Sequence, residues 1–287
     1  MLPDTRTTAT TMPPLIGADD LAGRLGPGTV VLDLRSADAV RAGHLPGTVR
    51  SDYAADGWRE GRNGVPGYLP GDEALSGLLG RLGIGPDKAV AIVPPGPTAG
   101  DFSIAARVYW TLKAAGHPSV SILDGGFPAW AARDGQEGAT ETGDPAPAPA
   151  GPYPVSRVDE VRAELGAVER AVADASAALV DSRGPDSFAG REKSPHAARA
   201  GRLPGSLNLD GARAFDGASG RLRGRAELER LFGAVPDGPS IAFCNTGQAA
   251  ATDWFVLSEI LGRPGVRLYD GSMSEWTADP SRPVETG

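Results

Sequence analysis

An α/β fold of two tandem domains, each a mostly parallel sheet flanked by helices, is predicted by three observations in the 287-residue sequence. Short apolar runs alternate with amphipathic stretches, the pattern of strands buried on both faces with helices packed over them. That pattern occurs twice, at a domain-sized spacing. Between the two occurrences lies a stretch almost free of large apolar residues.

In the first copy, residues 30–34, 89–93 and 120–123 read as buried strands, and 103–115 as a helix ending at Gly116. In the second, 178–181, 240–243 and 266–269 are the matching strands, and 249–261 the helix, ending at Gly262. The copies share motifs in one order. Val30-Val-Leu-Asp-Leu-Arg35 returns as Leu179-Val-Asp-Ser-Arg183, and Arg41-Ala-Gly-His-Leu-Pro-Gly47 as Arg199-Ala-Gly-Arg-Leu-Pro-Gly205. Ile122-Leu-Asp-Gly-Gly-Phe-Pro-Ala-Trp130 returns as Leu268-Tyr-Asp-Gly-Ser-Met-Ser-Glu-Trp276. A tandem duplication explains this better than a solenoid. The domains are placed at 14–136 and 153–287, joined by a Pro/Ala/Gly-rich linker at 137–152 that reads as exposed and semi-stiff.

Composition narrows the function classes. The net charge of −8 argues against a general nucleic-acid binder. No apolar run is long enough for a transmembrane helix, and Met1 to Pro14 lacks the apolar stretch of a secretory signal, so a cytoplasmic protein away from membranes is expected. A single cysteine excludes an intrachain disulfide framework and any cysteine-rich metal site. His44, His117 and His196 show no metal-ligand spacing, and neither a P-loop nor a dinucleotide fingerprint occurs, so no cofactor or metal is expected.

The single cysteine stands at an informative place. Cys244 directly follows an apolar strand; a short glycine-containing loop comes next, and then a helix. Successive N–H groups in such a loop form an anion-binding nest, which the helix terminus reinforces. A thiol ordinarily titrates near pH ~8.5, so half ionisation at pH 7 requires roughly 2 kcal/mol of stabilisation. A helix terminus supplies only about 0.3–1 kcal/mol, leaving the rest to the loop N–H groups. A lone cysteine is most often core filler; strand, cysteine, tight loop and helix together favour a nucleophile.

On these residues the chain resembles the rhodanese family of sulfurtransferases, in its tandem-domain thiosulfate or 3-mercaptopyruvate form. The resemblance rests on Asp33-Leu-Arg35 and Asp181-Ser-Arg183, on Gly43-His-Leu-Pro-Gly47 and Gly201-Arg-Leu-Pro-Gly205, on Asp124 to Trp130, and on the six-residue loop from Cys244 to Ala249. It implies a persulfide on Cys244 that takes sulfur from a small anionic donor and passes it to a thiophilic acceptor such as cyanide, a thiol or a protein. It also implies that the loop amides of Asn245, Thr246, Gly247, Gln248 and Ala249 cradle that sulfur, and that Asp181 anchors the fold. In the first copy Pro94 stands where the nucleophile would be, and prolines lack the N–H groups of a nest, so that domain is expected to be catalytically silent.

Departures from the family pattern leave the donor open. Asn245 and Thr246 replace the basic residues or Gly-Ser pair of the familiar subclasses, and Ser187 stands where an anion-binding arginine is common. Arg183, Arg191 and Lys193 are the candidates to take over that task. Trp58 reads as packing, or as part of a segment covering the other domain's active-site mouth. A cysteine phosphatase would need an arginine six residues after Cys244, where Ala250 stands, and no Gly-x-Ser-x-Gly elbow is present for a serine hydrolase. The remaining rival is a persulfide carrier or binding module that delivers sulfur to a partner protein without turnover; the chain is expected to be a monomer.

Overall fold

The computed structural model describes residues 11–133, 140–145 and 149–287. The first domain contains β1 (Leu15–Ile16), α1 (Ala18–Ala22), β2 (Thr29–Asp33), α2 (Ala37–Ala42), β3 (Thr48–Arg50), the hairpin β4 (Glu60–Arg62) and β5 (Val65–Tyr68), α3 (Asp72–Arg81), β6 (Ala89–Val93), α4 (Ala99–Ala114), β7 (Val120–Leu123) and α5 (Gly126–Ala131). Its main sheet runs β1-β7-β6-β2-β3, every pair parallel. The second domain contains α6 (Leu165–Asp174), β8 (Ala178–Asp181), α7 (Pro185–Phe188), β9 (Leu207–Asn208), the hairpin β10 (Phe215–Asp216) and β11 (Arg221–Leu222), α8 (Arg225–Leu231), β12 (Ser240–Phe243), α9 (Ala250–Trp254), β13 (Val266–Leu268) and α10 (Ser272–Trp276). Its parallel sheet runs β13-β12-β8-β9, and Arg162 makes a parallel bridge to Leu268 where β1 meets β7 in the first domain. The predicted α/β class and the duplication are both present.

The central strands form where expected because both their faces are covered. All five residues of β6 and all four of β12 are buried, so each reads as a continuous apolar run rather than an alternating one. Helix α4 begins at Thr98, whose hydroxyl accepts from the Asp101 N–H while the Asp101 carboxylate accepts from the Thr98 N–H. This capping box starts the helix four residues before the predicted position. The other predicted helix is not α-helical throughout. After α9 the chain continues as a π-helix, Phe255–Ile260, with Leu261 N–H donating to the Val256 carbonyl at 2.8 Å. The wider turn keeps Phe255, Val256 and Leu257 all buried.

Those two helices join the domains. One apolar cluster runs from Leu32, Leu75 and Trp110 of the first domain to Val180, Trp254 and Phe255 of the second. Phe255 meets Phe102 edge-on at 5.7 Å and Tyr109 at 4.9 Å, and the Tyr109 hydroxyl donates to Glu259 Oε2 at 2.6 Å. Each such ring buries apolar area worth about 2–3 kcal/mol. Smaller clusters cover the outer faces of the two sheets. Strand alternation then places the cysteine. Ile241 and Phe243 point into the second domain's outer cluster, whereas Ala242 and Cys244 belong to the cluster shared by both domains.

Part of the expected linker, 137–139 and 146–148, lies outside the described residues, as do Met1 to Thr10. Described neighbours of the linker hold to the first domain: Gly143 N–H donates to the Arg41 carbonyl, and Ala150 N–H to that of Gly80, both at 2.9 Å. Tyr153 closes the segment by a 3.0 Å hydrogen bond between its hydroxyl and His117 Nδ1.

Candidate active site

The site lies where β12 ends. Register makes the comparison between domains direct. Phe243 pairs with Asp181 as Val93 pairs with Asp33, so Cys244 and Pro94 occupy the same position in their sheets. Cys244 is 3% exposed and lines a cavity of about 380 Å³. Asn245, Thr246, Gln248 and Ala249 line it with the cysteine, as do Ser182, Arg183 and Ser187 after β8, and Ala99, Gly100 and Ser103 from the start of α4. The cavity is therefore built by both domains. Gln248 Nε2 donates to Ser103 Oγ across the boundary at 3.3 Å.

The loop is held from outside while its own donors stay open. Cys244 N–H donates to Ser272 Oγ at 3.1 Å, and Ser272 Oγ donates on to the Tyr269 carbonyl. Met273 N–H donates to the Cys244 carbonyl, and Ser274 donates to the Asn245 carbonyl through both N–H and Oγ. The N–H groups of Asn245, Thr246, Gly247, Gln248 and Ala249 meet no acceptor among the described residues. Five unpaired amides beside a buried cysteine are the donor set that an anion-binding nest requires. Gly247 makes the turn possible: its φ is +74°, and a Cβ there would meet the Asp270 backbone at 2.8 Å and Arg107 Nη1 at 2.6 Å.

The repeated Asp-x-Arg motif is a clamp in both domains. Asp181 binds Arg183 through two oxygens, at 2.8 and 2.5 Å, and Arg183 Nη2 also donates to the Gly201 carbonyl. Asp33, Arg35 and the Gly43 carbonyl repeat that arrangement. Only the second clamp reaches the loop, through Arg183 Nη1 to Asn245 Oδ1 at 3.4 Å. The other two basic candidates are not brought to the cavity. Arg191 pairs with Asp186 at 2.5 Å on the surface, and Lys193 donates to the Ala197 carbonyl at 2.7 Å. Trp58 is fully buried and donates to Ser51 Oγ, whereas Gly67 of the same segment does abut the loop at Thr246.

Buried polar residues flanking the site belong to no motif of the sequence. Asp253, on α9, is fully buried, and neither carboxylate oxygen meets a donor. Burial above all, with Asp210 and Asp181 nearby adding to it, pushes its pKa well above the ordinary carboxylate value. Tyr53 is buried with its hydroxyl unpartnered, and burial raises its pKa while Arg107 and Arg59 draw it back. Arg107 is a lone charge inside the apolar stretch Ile104-Ala-Ala-Arg-Val-Tyr-Trp110, the one clue that the sequence offered.

The Rhodanese-like domain family matches twice, over residues 17–133 and 164–279. The chain belongs to the rhodanese family. Rhodanese relatives align along almost its full length. A protein named thiosulfate sulfurtransferase from Pseudomonas aeruginosa is 36% identical, over 96% of this chain and 97% of that one. A protein from Thermus thermophilus named sulfur carrier protein TtuD is 31% identical, covering 85% and 86%. The crystal structure of SseA from Escherichia coli, described with the catalytic mechanism of 3-mercaptopyruvate sulfotransferases, superposes with a TM-score of 0.75 at 27% identity, covering 91% of this chain and 99% of that one. This rhodanese is a sulfurtransferase in class. No helix among its described residues is long and apolar enough to cross a membrane.

Proposed function

We propose that this rhodanese moves sulfane sulfur from a small anionic donor, thiosulfate or 3-mercaptopyruvate, to a thiophilic acceptor through a persulfide on Cys244. The observation that carries the reading is the buried cysteine inside a nest of five unpaired amides, open to a cavity of about 380 Å³. With thiosulfate, the Cys244 thiolate attacks the outer sulfur, an S–S bond forms, and the donor's S–S bond breaks with its electron pair leaving on sulfite. With 3-mercaptopyruvate, the C–S bond pair departs to carbon, and the donor's thiol proton completes pyruvate. Either way Cys244 carries a persulfide anion. Attack of cyanide on its terminal sulfur forms thiocyanate and returns the thiolate.

The amides of Asn245, Thr246, Gly247, Gln248 and Ala249 hold that anion, because charge-assisted hydrogen bonds to aligned N–H groups are worth more than neutral ones. For the donor's anionic end we assign Arg183, the one basic residue lining the cavity, ahead of Arg191 and Lys193. The first domain, with Pro94 at the nucleophile position, supplies a wall rather than a second centre. No cofactor takes part. The same reading has the chain acting as a cytoplasmic monomer without nucleic acid, in line with its acidic balance and single cysteine.

A second reading is favoured by the Thermus relative named as a sulfur carrier: Cys244 loads once and releases sulfur only to a partner protein. Steady-state thiocyanate formation separates the two. Continuous turnover with a small donor and cyanide, abolished in Cys244→Ser, supports the enzyme. A single stoichiometric loading without turnover supports the carrier, and turnover that survives in Cys244→Ser contradicts both.

A further inference from the structure

Arg107 is an unusual residue for its place. It lies in the middle of α4, in the domain without a cysteine, with no solvent exposure. One guanidinium nitrogen, Nη2, donates to the Gly67 carbonyl at 2.7 Å, and the group stacks over Trp110 at 4.7 Å. Nε and Nη1 have no hydrogen-bond partner. No carboxylate among the described residues lies within ion-pair distance of it; Asp270, within electrostatic reach, is engaged by Arg162 and by the Leu69 N–H. A buried guanidinium so arranged is costly unless an anion sits nearby.

The titratable groups within electrostatic reach of Arg107 are Tyr53, Asp270, Arg59 and Cys244. Tyr53 is itself buried and unpartnered, and Arg59 is a second cation stacked on the Tyr53 ring at 4.8 Å. Arg107 approaches the catalytic loop at Gly247, the one residue from Cys244 to Ala249 that does not line the cavity, and a Cβ there would lie 2.6 Å from Nη1. It therefore stands behind the loop, on the side away from the donor.

We infer that Arg107 is the buried counter-charge of the anion that forms on Cys244, so that the cysteine-free domain supplies electrostatic support to the active site. This rests on Cys244 being the nucleophile. Arg107 is a positioning residue, not a catalytic one: its fixed charge, buried away from solvent, stabilises thiolate and persulfide through the loop. Only glycine at 247 leaves room for it.

Alkylation of the resting protein with iodoacetamide, followed by intact mass as a function of pH, reads the thiolate without any sulfur donor. Arg107→Met is expected to move the midpoint of that profile up by about one pH unit and to lower kcat at pH 7 by about tenfold, with KM changing less than about threefold. Arg107→Lys is expected to keep the wild-type midpoint. A folded Arg107→Met protein with an unmoved midpoint overturns the inference. If that variant does not fold, Cys244→Asp and Cys244→Asn decide: at pH 8 the carboxylate variant is expected to melt no lower than the amide, and a clearly lower melting temperature overturns the inference. Failure of the wild type to accept sulfur would instead refute the nucleophile assignment, and leaves the alkylation profile readable on its own.

Discussion

Gly67 of the first domain lies against Thr246 of the second so closely that a Cβ on it would sit 2.3 Å from the Thr246 carbonyl oxygen. The β5 backbone is thus a backstop for the loop that follows Cys244, and the contact is possible because residue 67 has no side chain. A methyl group there must push the loop, since the Asp270 carbonyl blocks the other direction at 2.9 Å. We expect Gly67→Ala to destabilise the protein by about 1–3 kcal/mol and to lower kcat/KM by at least about tenfold. Urea denaturation and thiocyanate kinetics on one preparation check both effects.

The paired Asp-x-Arg clamps allow a controlled comparison. Asp33→Asn and Asp181→Asn each leave a buried guanidinium without its carboxylate, at an expected cost of about 3–5 kcal/mol. Their functional effects should part. Arg35 ends on the Gly43 carbonyl and the Phe127 ring, away from the cavity, whereas Arg183 lines the cavity and reaches Asn245. Under stabilising conditions we expect Asp181→Asn to raise the donor KM and Asp33→Asn to leave it unchanged, as read by saturation kinetics on the folded fraction.

His117 sets a pH dependence. Burial lowers its pKa to about 4, against a hydrogen bond to the Lys88 carbonyl that favours the charged form. The unfolded chain binds this proton near pH ~6.5, so the unfolded state holds more protons between those values. Stability is full above about pH 6.5 and falls as the pH drops toward 4, by roughly 2–3 kcal/mol from this residue alone. His117→Gln should flatten that limb, measured as the difference in urea midpoint from wild type between pH 7 and pH 5.

Asp253 acts with the opposite sign. Its folded-state pKa is raised, so the wild type loses stability as the pH rises past the ordinary carboxylate value, about 3.9. Asp253→Asn removes that titration and keeps the side-chain shape. The variant should therefore gain stability relative to wild type on going from pH 5 to pH 8. A relative loss over that interval would show an ionised, stabilised carboxylate.

Much of this architecture is legible in the sequence for a physical reason. Parallel strands covered on both faces leave unbroken apolar runs, so β6, β7, β8 and β12 form over the predicted residues. β1, β3 and β9 span two or three residues at sheet edges and leave no such run. The π-helical turn after Trp254 packs Phe255 against Phe102 and Tyr109 of the other domain, contacts that no local window contains. At the site, Cys244 and its loop announce themselves through local order of strand, cysteine, glycine and helix. Arg107, Gly67 and Ser103 come from the other copy, and their proximity exists only once the domains pack. The basic segment near Arg191 and Lys193 looks suited to bind an anion by composition, yet Asp186 and the Ala197 carbonyl occupy those cations.

The central claim is that sulfur resides on Cys244 between donor and acceptor. The chain has no second cysteine to resolve a persulfide, so the loaded form should persist until an outside acceptor arrives. Intact-mass spectrometry after incubation with thiosulfate, and separately with 3-mercaptopyruvate, measures this directly. One added sulfur atom with at least one donor, lost on adding cyanide and absent in Cys244→Ser, is the predicted result. No adduct with either donor, or an adduct that survives in Cys244→Ser, would contradict it.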